Sequence, residues 1–189
     1  QDQADANYVY PHYQFDRVFG GNKQADMAIQ PTWKLKKANI NSLYSGGDAG
    51  NMTYADGLLL AITSQDIKVN NVYGGCRIAD VAPAGSSIAE KSFNIDGKSY
   101  TFPADLSARV LITNGTINNV YGGNDISGTV YGGSALEILD SINGEVYGGG
   151  NGSYVYTDNA ALKDDATYGD LYYEPGTSSI DALNAFRPN

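Results

Sequence analysis

Aliphatic and β-branched residues recur along this chain in short bursts, each closed within a few residues by glycine, asparagine or serine. Leu58 to Thr63, Arg109 to Thr113 and Leu136 to Leu139 are such bursts, too short for helices and suited to strands. Between them one unit returns: an aliphatic residue, an aromatic residue and two small residues. It stands at Val18-Phe19-Gly20-Gly21, Leu43-Tyr44-Ser45-Gly46, Val72-Tyr73-Gly74-Gly75, Val120-Tyr121-Gly122-Gly123, Val130-Tyr131-Gly132-Gly133 and Val146-Tyr147-Gly148-Gly149. The residues that follow the aromatics are 20, 45, 74, 122, 132 and 148, which gives a recurring gap near 26. The residues upstream repeat as well: Ile117-Asn118-Asn119 matches Val69-Asn70-Asn71, and Ile40-Asn41-Ser42 is a looser copy. Six copies with matching flanks are not a hairpin turn recurring by chance.

The pattern predicts an all-β chain, a right-handed parallel β-helix (solenoid) with coils of about 26 residues. The copy at Tyr131 falls inside a coil and marks a second corner. Asn and Gly tolerate the left-handed backbone that tight corners use. Asparagines stacked at one corner can also bond up and down the stack. Inward aliphatics contribute about 1.5–3 kcal/mol each when buried, and aromatic pairs about 0.5–1.5 kcal/mol more. The expected repeat framework is Phe19, Tyr44, Tyr73, Tyr121, Tyr131 and Tyr147, with Gly21, Gly47, Gly75, Gly123, Gly133 and Gly149.

The chain reads as a single domain over 1–189, with repeat coils over 17–149. Between positions 74 and 122 the gap is 48, and the excess reads as an insertion within 76–106. Phe93 and Ile95 alternate on one arm of a hairpin, Tyr100 and Phe102 on the other, with Asp96-Gly97 as the turn. Ser87 and Glu90 resemble a capping box for one helical turn just before it. Two shorter coils are the alternative, but the stretch lacks a second glycine corner. Residues 150–189 lose the period and read as a long loop, with a short helix from Ser179 to Phe186. The chain stops at Pro188-Asn189 without an evident cap, so it reads as one segment of a longer protein carrying further coils.

The run Ile117-Asn118-Asn119-Val120-Tyr121-Gly122-Gly123-Asn124-Asp125, with Glu145-Val146-Tyr147-Gly148-Gly149-Gly150-Asn151-Gly152, resembles exported repeat proteins of Bacteroidetes-type bacteria. The likeness extends over about residues 17 to 189 and belongs to a repeat style, not to an activity. It implies a secreted or outer-membrane-surface β-helix, adhesin-like and of unassigned function. Asp140-Ser141-Ile142 is similar to the O-glycosylation signal of such bacteria. Neither a lipid-bearing first cysteine nor a secretion domain accompanies the repeat.

Composition narrows the function classes. The formal net charge is -9 and the twelve Lys and Arg are scattered, which speaks against nucleic acid and anionic membranes. No apolar run reaches the roughly 20 residues of a transmembrane helix. An enzyme of the parallel β-helix type, a polysaccharide lyase or glycoside hydrolase, would need paired carboxylates across the scissile bond. Asp164-Asp165 is the one adjacent acidic pair, and the lone His12 reads as a packing residue. No catalytic residue, metal site or cofactor is therefore expected. Cys76 takes the corner slot that Asn22 and Asn124 fill elsewhere, which suits a small buried residue better than a reactive thiol.

The candidate ligand site is the C-terminal loop. Tyr154, Tyr156, Tyr168, Tyr172 and Tyr173 are interleaved there with Asp158 and Asp165. Tyrosine faces stack on sugar rings and carboxylates accept from hydroxyls, which suits a glycan; pinning the loop to the solenoid would use the same tyrosines. The sequence thus reads as a non-catalytic surface or secreted scaffold, adhesive or glycan-binding, whose partner is a glycan or another surface protein.

Overall fold

The structure is a computed structural model, and it describes residues 13–82, 85, 87–152, 159–164 and 172. Its strands are β1 (Tyr13–Phe19), β2 (Ala38–Tyr44), β3 (Leu58–Ile62), β4 (Ile67–Tyr73), β5 (Lys91–Ile95), β6 (Lys98–Phe102), β7 (Ala108–Ile112), β8 (Thr116–Tyr121), β9 (Ser134–Ile138) and β10 (Val146–Tyr147). The chain is all-β with parallel sheets. One sheet has the order β1-β2-β4-β8-β10 and a second the order β3-β7-β9, both parallel throughout. A third row of parallel bridges joins Met27 to Met52, Met52 to Val81 and Val81 to Val130. Among the described residues the first four strands of the large sheet, β1, β2, β4 and β8, are each followed by a corner and the bridge row, and the last three of these also by a strand of the small sheet.

Register in the large sheet is the one the repeat predicts. Phe19 pairs Tyr44, Tyr44 pairs Tyr73, Tyr73 pairs Tyr121 and Tyr121 pairs Tyr147. The aliphatic residue before each aromatic points inward, so Leu43, Val72 and Val120 share one buried cluster with Leu60, Val110 and Ile112 of the small sheet. Trp33, Leu35 and Ile142 pack against that cluster.

The corner following each ladder aromatic departs from expectation in one respect. Gly20, Gly21, Gly46, Gly74, Gly75, Gly122 and Gly123 do not have positive φ. Glycine is needed there because the neighbouring pass comes too close: a Cβ on Gly74 or Gly122 would run into the carbonyl of Gly122 or Gly148. The second glycine of the Tyr44 corner is Gly46, which donates to Gly75 at 2.9 Å, while Gly47 occupies the following slot. Tyr131 stands outside the ladder, as the second-corner reading expects. Its amide donates to Val81, and Gly132 and Gly133 turn the chain into β9 with φ of 90° and 122°.

The insertion holds the expected hairpin. β5 and β6 pair antiparallel, with Phe93 opposite Tyr100 and Ile95 opposite Lys98. Asp96 and Gly97 have φ of 51° and 79°, the doubly positive turn that suits a two-residue hairpin. Residues 76–81 keep the register of their neighbours, so the extra residues begin only after Val81. Ser87 and Glu90 start no helix. Ile88 is buried and exchanges bonds with Asp105, its amide reaching the Asp105 carboxylate and its carbonyl the Asp105 amide. The hairpin lies over the outside of the small sheet, where Tyr100, Phe102 and Leu111 form a cluster with Leu59, Phe93 and Ala135.

Beneath the hairpin Arg109 is 1% exposed. Its Nη1 donates to the Asp56 carbonyl at 2.7 Å, whereas Nε and Nη2 are buried without a partner. Burial holds its pKa below the usual arginine range. Removing a half-satisfied buried cation while keeping its volume is expected to help. Arg109→Met should match or exceed the parent in a denaturant melt, by up to about 2 kcal/mol. A loss above about 1 kcal/mol would show that the guanidinium stabilises the hairpin.

Candidate functional site

The expected glycan loop is outside the described residues at Tyr154, Tyr156, Asp158, Asp165, Tyr168 and Tyr173. The Ser179–Phe186 helix and His12 are outside them as well. Tyr172 is described, and the Lys163 ammonium lies 5.6 Å from its ring centre. A short 3-10 turn, Ala160–Leu162, is capped by Asn159. Asn151 continues the stack past Gly149, donating from its amide to Asn124 and from its side chain to Asp125 at 3.0 Å.

The corner itself is built as a column. The rings of Phe19, Tyr44, Tyr73, Tyr121 and Tyr147 stack at 4.6, 4.7, 5.0 and 5.3 Å. Beside it Lys23, Asp48, Arg77 and Asp125 follow one another in successive passes, with Arg77 bonded to Asp48 at 2.8 Å. Tyr44 donates its hydroxyl to Asp125 at 2.7 Å. Burial and the nearby carboxylate push the Tyr44 and Tyr73 hydroxyls well above the ordinary tyrosine value. Folded pKa values above the unfolded ones mean stability that is whole below about pH 10 and lost as pH climbs further. An alkaline titration followed by tyrosinate absorbance should show a late, cooperative step coinciding with loss of strand signal. Smooth titration of every tyrosine near pH 10, with strands intact, would contradict the buried column.

Two further rows fix the passes. Asn41 donates to Asp16 at 3.1 Å, Asn70 to Asn41 at 3.2 Å, Asn118 to Asn70 at 2.9 Å and Asn143 to Asn118 at 3.3 Å, the stacked asparagines the sequence anticipates. Along the bridge row the Asp26, Asn51 and Asp80 side chains each accept from the backbone of the next pass, at Asn51, Asp80 and Thr129. Polar side chains one residue before the half-buried Met27 and the buried Met52 and Val81 are the signal for that row.

Cys76 is buried and held among corner atoms, with Asn124 accepting from its amide at 2.7 Å. Burial pushes its thiol up to about 12. The native chain should therefore resist thiol reagents at pH 8 and become reactive only with global unfolding in urea. Fast labelling of the folded chain would contradict the buried assignment.

The described surface that can hold a ligand is the outer face of the large sheet. Gln14, Asn39, Lys68 and Thr116 point outward in one row and Asp16, Asn41, Asn70 and Asn118 in another, lining a groove of about 520 Å³. The Asn39 side-chain oxygen is buried there without a partner. Phe15 joins this groove to a second of about 930 Å³, lined by Tyr13, Lys34, Lys36 and Lys37 together with Asp66 and Asp96. Sequence reasoning missed both. The alternation Ile67-Lys68-Val69-Asn70 is the signal for the first. The Lys34-Leu35-Lys36-Lys37 cluster in an otherwise acidic chain is the signal for the second.

Among the described residues no group of three His, Cys, Asp or Glu side chains is arranged to hold a metal, and no helix is long and apolar enough to cross a membrane. No family model, curated protein or solved structure matches this chain.

Proposed function

We propose that the chain is a right-handed parallel β-helix that works as a non-catalytic repeat scaffold, presenting polar grooves to glycans at an extracellular or outer-membrane surface. The observation that carries the architecture is the in-register stack of Phe19, Tyr44, Tyr73, Tyr121 and Tyr147. Right-handed winding is the near-universal choice for parallel crossovers. The extracellular placement follows the resemblance of the repeat. Glycan contact is supported by the outer face, where amide and ammonium groups of Asn39, Asn41 and Lys68 line one groove. Amides and ammonium groups bond sugar hydroxyls and carboxylates.

A glycan array with purified protein tests the reading. Binding should favour uronate-bearing glycans, weaken with salt, and fall with Lys68→Glu. If binding is instead lost in Tyr172→Ala with Tyr173→Ala, the ligand lies on the C-terminal loop. No binding to any glycan removes the adhesive role and leaves a spacer. Polysaccharide turnover abolished by Asp165→Asn would replace the scaffold with a carbohydrate-active enzyme.

A further inference from the structure

The exposed large hydrophobic side chains of the described residues fall at the two ends of the stack. Tyr13, Phe15 and Ile29 belong to the first pass; Leu139 follows β9, the last strand of the small sheet, and Val146 and Tyr147 form β10. The glycines say the same about the upper end. A Cβ on Gly20, Gly74 or Gly122 would strike the backbone of the pass above, Ser45 being the one side chain in that row, whereas no described residue lies within 4 Å of a Cβ on Gly148 or Gly149. These two carry the corner's glycine signature without the steric reason that explains it elsewhere. A second backbone lying on that corner would supply the reason.

The hydrogen-bonding polarity indicates what fits. Gly20 donates upward to the Tyr44 carbonyl at 3.0 Å, Gly74 to Tyr121 at 2.9 Å and Gly122 to Tyr147 at 2.9 Å. The last donor of this series is Gly148, and the acceptor left at the opposite end is the Phe19 carbonyl. In the row before the aromatics, Arg17 pairs Ser42, Ser42 pairs Asn71 and Asn71 pairs Asn119, while Glu145 precedes the next pair, Val146 with Val120. One end of that row is thus Arg17, which lies 3.6 Å from the Asp16 carboxylate, and the other is Glu145, which accepts from the Tyr147 hydroxyl at 2.6 Å.

We propose that these chains associate head to tail, the first pass of one molecule resting on the last pass of another and continuing the aromatic column. The inference rests on the β-helix reading and extends its coil-to-coil contact across molecules. Phe19 of the upper molecule covers Tyr147 of the lower, and Arg17 lies above Glu145. Such a contact uses different patches on the two partners and does not close, so it yields filaments rather than dimers. One rung opposes it: Asp16 comes over Asn143, whose amide nitrogen is already turned to Asn118. Growth is therefore restrained at that position.

Sedimentation velocity over a range of protein concentrations tests the proposal. The parent chain should form species growing beyond a dimer. Gly148→Val should stay monomeric at every concentration with unchanged melting, because its new side chain meets none of the described residues of its own molecule. Arg17→Glu should weaken growth and Glu145→Arg in the same chain restore it, whereas Asp16→Asn should promote it. A parent that is monomeric throughout overturns the proposal, whether its ends are simply inert or covered by its own terminal residues. So does a closed dimer, or growth untouched by Gly148→Val. Circular dichroism of the monomeric variant reports the strand content separately, so failure to assemble leaves the scaffold reading standing.

Discussion

Gly122→Val should not hold its native strand signal at ambient temperature, while Gly148→Val, one pass higher in the same row, should melt with the parent. The two positions share sequence context and differ in what lies above. At Gly122 the added carbons meet the Gly148 carbonyl and the Ser134 hydroxyl. Relief would mean lifting the last pass and breaking the bonds from Gly122 to Tyr147 and from Gly123 to Gly149. A clash with backbone cannot be absorbed by a rotamer, and the loss should exceed about 4 kcal/mol, a large part of the stability of a domain this size. Thermal melts of both variants check it. Equal melting would mean that the corner glycines are there for another reason.

Tyr73→Ala should be far more damaging than truncation at the end of the aromatic column. The ring is 4% exposed and is covered on both faces, by Tyr44 at 4.7 Å and Tyr121 at 5.0 Å. Removing it takes two stacked contacts and leaves a cavity between passes whose spacing is fixed by backbone bonds, at a cost of about 3–5 kcal/mol. Tyr73→Phe retains the stack and should cost about 1 kcal/mol or less. Tyr147→Ala, at the exposed end of the same column, should cost far less than Tyr73→Ala. Urea midpoints for the three variants give the comparison, and equal losses at 73 and 147 would deny that burial sets the energy.

Much of the fold was legible because the repeat encodes register directly. The spacing of Phe19, Tyr44, Tyr73, Tyr121 and Tyr147 names every pairing in the large sheet, and the Asp96-Gly97 turn with its alternating arms names the hairpin. The reason for the corner glycines was not legible. Sequence suggests left-handed backbone, whereas the constraint is the approach of the next pass, which no local pattern contains. The same gap explains Gly46 and Gly47: only cross-pass bonding shows which of two adjacent glycines belongs to the row. Ser87 and Glu90 carry a helix-start pattern, but no amphipathic face follows to stabilise a helix, and pairing between Ile88 and Asp105 takes those residues instead.

The candidate site was less legible still. A ligand surface assembled from Asn39, Lys68 and Thr116 draws one residue from each of three passes, so nothing adjacent in sequence marks it. Tyrosines clustered within one segment stand out in a sequence; single outward residues spread over a sheet do not.

Nuclear Overhauser contacts among selectively labelled tyrosines test the central claim most directly. Ring protons of Tyr73 should show contacts to those of both Tyr44 and Tyr121, and Tyr121 to Tyr147, although these residues lie in different passes. Rings that show contacts only to neighbours in sequence would contradict the stacked arrangement and the scaffold built on it.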